Sequence, residues 1–231
     1  MTHFHVITLF PDAIRPYLES SILGKAAATD RKSRSEARGR SPKIKVSYYN
    51  PKDFVKKSAR VQDDRVDRRP YGGGPGMVLR PEPLLRAVEK ALGKRKGEVI
   101  FFSTDGKQFD EAYAQRLSKK KDIVLICGHY EGVDERVAKI HKARKVSIGP
   151  YVLTGGELPA AIVADAVARF IPGVLGKSES LERSRVSSPE VYTRPEVLEW
   201  KGRKYRVPKV LLSGHHAEID TWKMGRTKKK S

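Results

Sequence analysis

Short runs of residues that are apolar almost throughout, separated by helix-length segments, constrain the fold most. FHVITLF (residues 4–10), EVIFFS (98–103), DIVLIC (122–127) and the run at 145–148 lack the apolar–polar alternation of a strand with one wet face. A strand buried on both faces reads this way. KVSYYN (45–50) adds a further strand. Between the strands lie stretches with helical spacing. Pro11-Asp12 opens one that reaches about Ala27, with Ile14, Tyr17, Leu18 and Ile22 on one face and Pro16 near its start. Others cover 82–92 (Leu84, Leu85, Val88, Leu92), 110–119, a short piece after GHYEGVDE, and 157–170. The alternation predicts an α/β fold, with a mostly parallel sheet flanked by helices.

Ligands in such sheets collect at the carboxyl ends of the strands. Three of these strand ends run into glycine-containing turns: STDG, CGHYEG and IGPYVLTGG. A separate concentration of glycine, YGGGPGM (71–77), sits in a long loop over 51–80. Four glycines and a proline in seven positions imply a backbone that something must approach closely.

The charge indicates the kind of partner. Lys and Arg total 47 against 27 Asp and Glu, a formal net charge of +20 in 231 residues. Self-repulsion at that level opposes compaction, and a polyanion such as nucleic acid relieves it. Residues 28–43 read as a basic loop, 171–195 as a mobile segment, WKGRKYRV as a hairpin, and KMGRTKKKS as a disordered basic tail. Three parts are therefore expected: 1–170, 171–195 and 196–231. Cys127 is the one cysteine, so no disulfide framework exists within the chain, which fits a reducing cytoplasm. It reads as a small buried residue rather than a nucleophile. The amino terminus lacks the features of a signal peptide, and no apolar run reaches the roughly 18 residues of a membrane span.

Several familiar motifs fail. GVLGKS (173–178) has Ile171 where a phosphate loop needs glycine, and Met77 breaks G-x-G-x-x-G in the 72–77 stretch. His3-x-His5 and His215-His216 have no carboxylate or thiol at ligand spacing in the sequence, so no metal site is expected.

Other segments carry a specific likeness. ITLFPDAI, RPYGGGPGM, CGHYEGVDER, SIGPYVLTGGELPA, ARFIPGVLG, YTRPEVLE and KVLLSGHHAEI occur in this order over nearly all of residues 3–222. Together they resemble the bacterial tRNA (guanine-N1)-methyltransferases of the TrmD type, in the SPOUT class. The resemblance implies a C-terminal trefoil knot in the α/β domain, a homodimer with the active site at the subunit interface, and S-adenosyl-L-methionine held among the knot loops. By match, that pocket uses Ser103, Thr104, Gly128, Tyr130, Glu131, Ile148, Gly149, Pro150, Tyr151, Val152, Leu153, Gly155, Gly156 and Pro159. Pro150 stands where the family usually has Asp, and Thr104 where it has Pro. The glycine loop is placed by resemblance beside the target base, with Asp67, Tyr71, Gly72, Gly73 and Gly74 binding substrate; Arg68 replaces the second aspartate of the family's D-D-R-P run.

The implied activity is methylation of N1 of guanosine 37 in the tRNA anticodon loop. N1 of neutral guanine carries a proton, so the chemistry needs a base and a cation to stabilise charge on O6. Arg169 matches the family's arginine in the second role; an ion pair with Asp165 on the same helix face is its plainer use. The catalytic aspartate of the family falls on Ser184 here by ungapped counting. Glu182 is the candidate base, with Glu179 next. The family continues past GRT into a helical domain that is not expected here, and its enzymes imply a Mg²⁺ requirement. Two other readings stay open: a catalytically impaired basic RNA-binding protein of the same fold, and a methyltransferase acting at another RNA position.

Overall fold

The computed structural model describes residues 1–28, 41–56, 65–175 and 190–228. The chain divides into two compact units, Met1–Leu175 and Gly176–Ser231. No helix among the described residues is long and apolar enough to cross a membrane.

The first unit runs β1 (Thr2–Ile7), α1 (Pro11–Leu18), α2 (Ser21–Ala26), β2 (Ala27–Ala28), β3 (Ile44–Tyr49), β4 (Asp67–Arg68), β5 (Val78–Leu79), α3 (Pro81–Leu92), β6 (Glu98–Gln108), α4 (Glu111–Leu117), β7 (Asp122–Ile126), α5 (Glu135–His141), β8 (Arg144–Ser147) and α6 (Glu157–Ala168). Six strands form one sheet in the order β2-β3-β1-β7-β6-β8, and every pairing in it is parallel. β4 and β5 make a small antiparallel pair apart from it.

The unbroken apolar runs have the predicted cause. Phe4, Val6, Ile123 and Leu125 pack with α1, α2, α4 and α6 on one face. Ile7, Val124 and Ile126, the alternate residues, pack with α3 and α5 on the other. Both faces are covered, so the runs stay apolar except where a buried polar side chain finds a partner, as His5 does in Asp122 at 2.9 Å.

β6 runs past the predicted 98–103 to Gln108. Phe102 and Lys107 both pair with Val146 of β8, so residues 103–106 leave the ladder as a bulge. Bulges re-aim side chains beside sites, and this one pushes Ser103, Thr104 and Asp105 out at the strand's carboxyl end.

The single helix predicted over 11–27 is two. Ser21 takes a φ of 50°, which breaks helical continuity between α1 and α2. Pro16 lies inside α1, where it has no N–H to give to the preceding turn.

In the second unit, β9 (Val197–Trp200) and β10 (Arg203–Arg206) form the expected hairpin. Lys201 and Gly202 at its turn have φ values of 50° and 73°, the primed geometry that tight hairpins favour. α7 (His216–Lys228) corrects the expectation of a disordered tail, because KMGRTK lies within it. Lys, Arg and Met are good helix formers, and the Lys223–Asp220 ion pair at 3.4 Å adds to the helix surface.

Candidate active site

The carboxyl ends of β6, β7 and β8 meet around a cavity of about 460 Å³, within the roughly 300–1,000 Å³ usual for small-molecule sites. The β6 bulge, the 128–133 turn and the 148–156 loop wall it. Every residue assigned to the cofactor from the sequence lines this cavity except Pro150. Pro150 is exposed, so the donor that proline lacks is not missing from the pocket wall.

Close approach holds the walls together. Gly156 N–H donates to the Gly128 carbonyl at 2.9 Å. A Cβ on Gly156 would lie 2.5 Å from Cys127 Cα and 2.9 Å from Gly128 N. No side chain fits between these two backbones. Tyr130, with φ of 60°, is a non-glycine residue held in the left-handed region, the kind of strain that collects at functional sites.

The lining is mixed in charge. Ser103 donates its hydroxyl to Asp105, and this bond, with Lys145 behind it, holds the Asp105 carboxyl below its usual range. Lys145 Nζ sits 3.1 Å from Glu135 and 3.9 Å from Asp105. The sequence reading missed Asp105, Glu135, Lys145 and His129 as lining residues. Asp105 was legible as part of the strand-end turn STDG. Lys145 was not, because it reaches the site from within the neighbouring strand. Cys127 is buried beneath, and burial pushes its thiol well above the ordinary range, so it is a packing residue and not a nucleophile.

The glycine loop joins this rim. Glu131 N–H donates to Met77 O at 3.0 Å, Leu79 N–H to Gly132 O at 2.9 Å, and Asp134 N–H to Leu79 O at 3.1 Å. Gly72, Gly73 and Gly74 have φ of 84°, 83° and 109°, and among the described residues nothing lies within 4 Å of where their Cβ atoms would be. Within the chain, backbone conformation and not crowding selects glycine there. Tyr71 is fully exposed. Asp67 is buried, with Arg65 Nε 3.5 Å from its carboxylate.

Arg169 lies elsewhere. It caps the carboxyl end of α6 and lines a groove between α1 and α6 of about 460 Å³, with Tyr17, Leu158, Ile162 and Asp165. Asp165, its expected ion-pair partner, accepts a hydrogen bond from the Tyr17 hydroxyl. Leu158 and Ile162 are 65% and 46% exposed on that face. Glu182, Glu179 and Ser184 lie outside the described residues.

Residues 2–231 match the family model described as tRNA (Guanine-1)-methyltransferase TrmD. The chain belongs to this family. It is 44% identical over 225 residues to a tRNA (guanine-N(1)-)-methyltransferase of Caldanaerobacter subterraneus subsp. tengcongensis, covering 95% of this chain and 84% of that protein. It is 41% identical over 236 residues to the one from Dictyoglomus turgidum, covering 100% and 87%. Against that of Pseudoalteromonas atlantica it is 40% identical over 234 residues, covering 97% and 81%. In this chain the strand-end pocket and Arg169 lie in separate clefts.

Proposed function

We propose that the protein transfers a methyl group from S-adenosyl-L-methionine to N1 of guanosine 37 in the tRNA anticodon loop. The observation that carries this is the pocket at three strand ends, lined by the residues the family likeness assigns to the methyl donor. S-adenosyl-L-methionine bound there supplies a methyl group on a positively charged sulfur. Backbone groups of the 128–133 and 148–156 segments would hold its ends, and the Glu131 carboxylate would favour its charge, Asp105 and Glu135 being shared with Lys145. The same oxygen donors suit a hydrated Mg²⁺ that would offset phosphate charge nearby.

In this reading the glycine loop takes the target base, with Asp67, Tyr71, Gly72, Gly73 and Gly74 contacting the nucleotide, and small residues let its backbone approach. Arg169 stabilises charge gathering on guanine O6, and Glu182 removes the N1 proton. The α1–α6 groove, with its exposed Leu158 and Ile162, is the surface that pairs two subunits. Arg169 then faces the partner's pocket, which explains why one chain keeps them in separate clefts. The trefoil knot belongs to the same reading, and the tight crossing of Gly156 over Cys127 and Gly128 supports it. Basic segments at residues 28–43 and 223–231 would meet tRNA phosphates, so binding weakens steeply with salt. A tRNA substrate is consistent with a cytoplasmic protein.

The test is methyl transfer from labelled S-adenosyl-L-methionine to tRNA transcripts carrying G or A at position 37. Transfer to the G transcript alone supports the reading. Transfer to both moves the target position, and binding of the methyl donor without transfer leaves an RNA-binding protein of the same fold. Glu182→Gln should abolish transfer; unchanged transfer would return the search to Glu179.

A further inference from the structure

A cluster at the opposite end of the sheet from the pocket has no part in methyl transfer. His3 and His5 stand two residues apart on β1 and so project to the same face. β7 pairs with β1 in a register that sets Asp122 opposite His3. One ligand atom from each of the three residues lies within 4.8 Å of the others. His5 Nε2 is 2.9 Å from Asp122 Oδ1, and His3 Nδ1 is 3.9 Å from the same oxygen. His5 and Asp122 are buried and His3 is nearly so.

The remaining ring nitrogens are oriented from the third strand. His3 Nε2 sits 2.9 Å from Ser47 Oγ, and His5 Nδ1 sits 3.3 Å from the Tyr49 hydroxyl. Both residues belong to β3, on the other side of β1. Metal-binding histidines show this arrangement: one nitrogen is held by a fixed oxygen and the other is aimed at the ion.

We propose that His3, His5 and Asp122 form a binding site for a divalent first-row transition metal of the zinc or cobalt type. Two imidazole nitrogens and one carboxylate oxygen are the donor set such ions take. Ligand atoms about 2.1 Å from a tetrahedral ion lie ~3.4 Å apart; the two spacings to Asp122, 2.9 and 3.9 Å, bracket that value, and the two histidine ligand atoms lie within 4.8 Å of each other. Small side-chain shifts admit the ion. Arg95 is the competitor: its Nε lies 3.5 Å from Asp122 Oδ1, on a side chain 54% exposed. The guanidinium also donates to the Leu92 and Ala91 carbonyls at 3.1 and 2.6 Å, so a cation bound at the cluster displaces only its approach to Asp122. The bound metal would tie β1 to β7, with β3 orienting its ligands.

The test is titration of the full chain, first stripped of metal, with Co²⁺, read by visible absorption of the cobalt centre and its displacement by Zn²⁺. One tight equivalent is expected, lost in His3→Ala and Asp122→Asn and weakened roughly 10–100-fold in Ser47→Ala. Arg95→Ala alters an exposed side chain and removes the competing cation, so it should bind Co²⁺ more tightly than the parent. His215→Ala/His216→Ala should bind as the parent does. Absence of a tight equivalent in the parent overturns the proposal. So does binding that survives His3→Ala and Asp122→Asn, or that Arg95→Ala weakens. Methyl transfer is not the readout, so the outcome is separate from that of the proposed activity.

Discussion

Thr8 Oγ1 donates a 2.6 Å hydrogen bond to Glu157 Oε1, across 149 positions of sequence. It joins the end of β1 to the first turn of α6, immediately after Gly155 and Gly156 of the pocket wall. Thr8 is fully buried, and hydrogen bonds to charged groups contribute about 1.5–3 kcal/mol. Thr8→Val keeps the shape but removes this donor and also the acceptor of the Phe10 N–H at 2.9 Å, so urea unfolding should show a loss of about 1–3 kcal/mol. A loss near zero would mean that Glu157 finds another partner.

Two glycines should fail in different ways. Gly156→Ala drives a methyl into the Cys127–Gly128 backbone, which cannot give way as a side chain can. It should cost about 1–3 kcal/mol and reduce binding of S-adenosyl-L-methionine, measured by calorimetry. Gly73→Ala meets open space but forces a left-handed φ, at about 1 kcal/mol or more. It should leave binding of the methyl donor intact and slow transfer to tRNA. Equal losses of donor binding in both would show that the two glycine segments act as one wall.

The sequence carried the sheet and the pocket because their signals are local. Apolar runs reveal strands buried on both faces, and strand ends in an α/β fold fix where a ligand sits. What it did not carry depends on partners far along the chain. His3-x-His5 looked unaccompanied because its carboxylate, Asp122, arrives through strand pairing. The break at Ser21 is a backbone reversal at a residue with no glycine or proline to announce it. The lysine-rich tail lacked apolar periodicity, yet its residues extend a helix begun at His216. Glycines 72–74 suggest close approach from sequence, and within the chain they also meet a need for positive φ that sequence does not reveal.

One pH dependence follows from α5. The Nε2 of His141 is buried without a hydrogen-bond partner among the described residues, and burial lowers its pKa from 6.5, with Glu89 of α3 opposing. The fold thus prefers the neutral ring. Its contribution to stability is complete above the unfolded value of 6.5 and is lost as pH falls below it toward the depressed folded value. His141→Gln cannot titrate. Its stability measured between pH 7.5 and 5.5 should decline less steeply than that of the parent, the difference staying below about 1.4 kcal/mol per pH unit. Parallel curves would show that the imidazole protonates in place without cost.

The separation of Arg169 from the pocket makes the sharpest demand on the proposed activity. A cation that stabilises only the transition state should affect kcat and not binding of the methyl donor. Arg169→Ala should therefore lose about 10²–10³ in kcat and bind S-adenosyl-L-methionine as the parent does. If Arg169 serves the partner's pocket, each mixed dimer of Arg169→Ala with Gly156→Ala contains one pocket that is whole and faces an intact arginine. Mixing the two inactive proteins should restore part of the activity. Ile162→Glu in the α1–α6 groove should abolish that rescue and yield monomers by light scattering. Rescue absent in mixed dimers that do form would place Arg169 and its pocket on the same subunit. Dimers that persist in Ile162→Glu would move the subunit interface off this face.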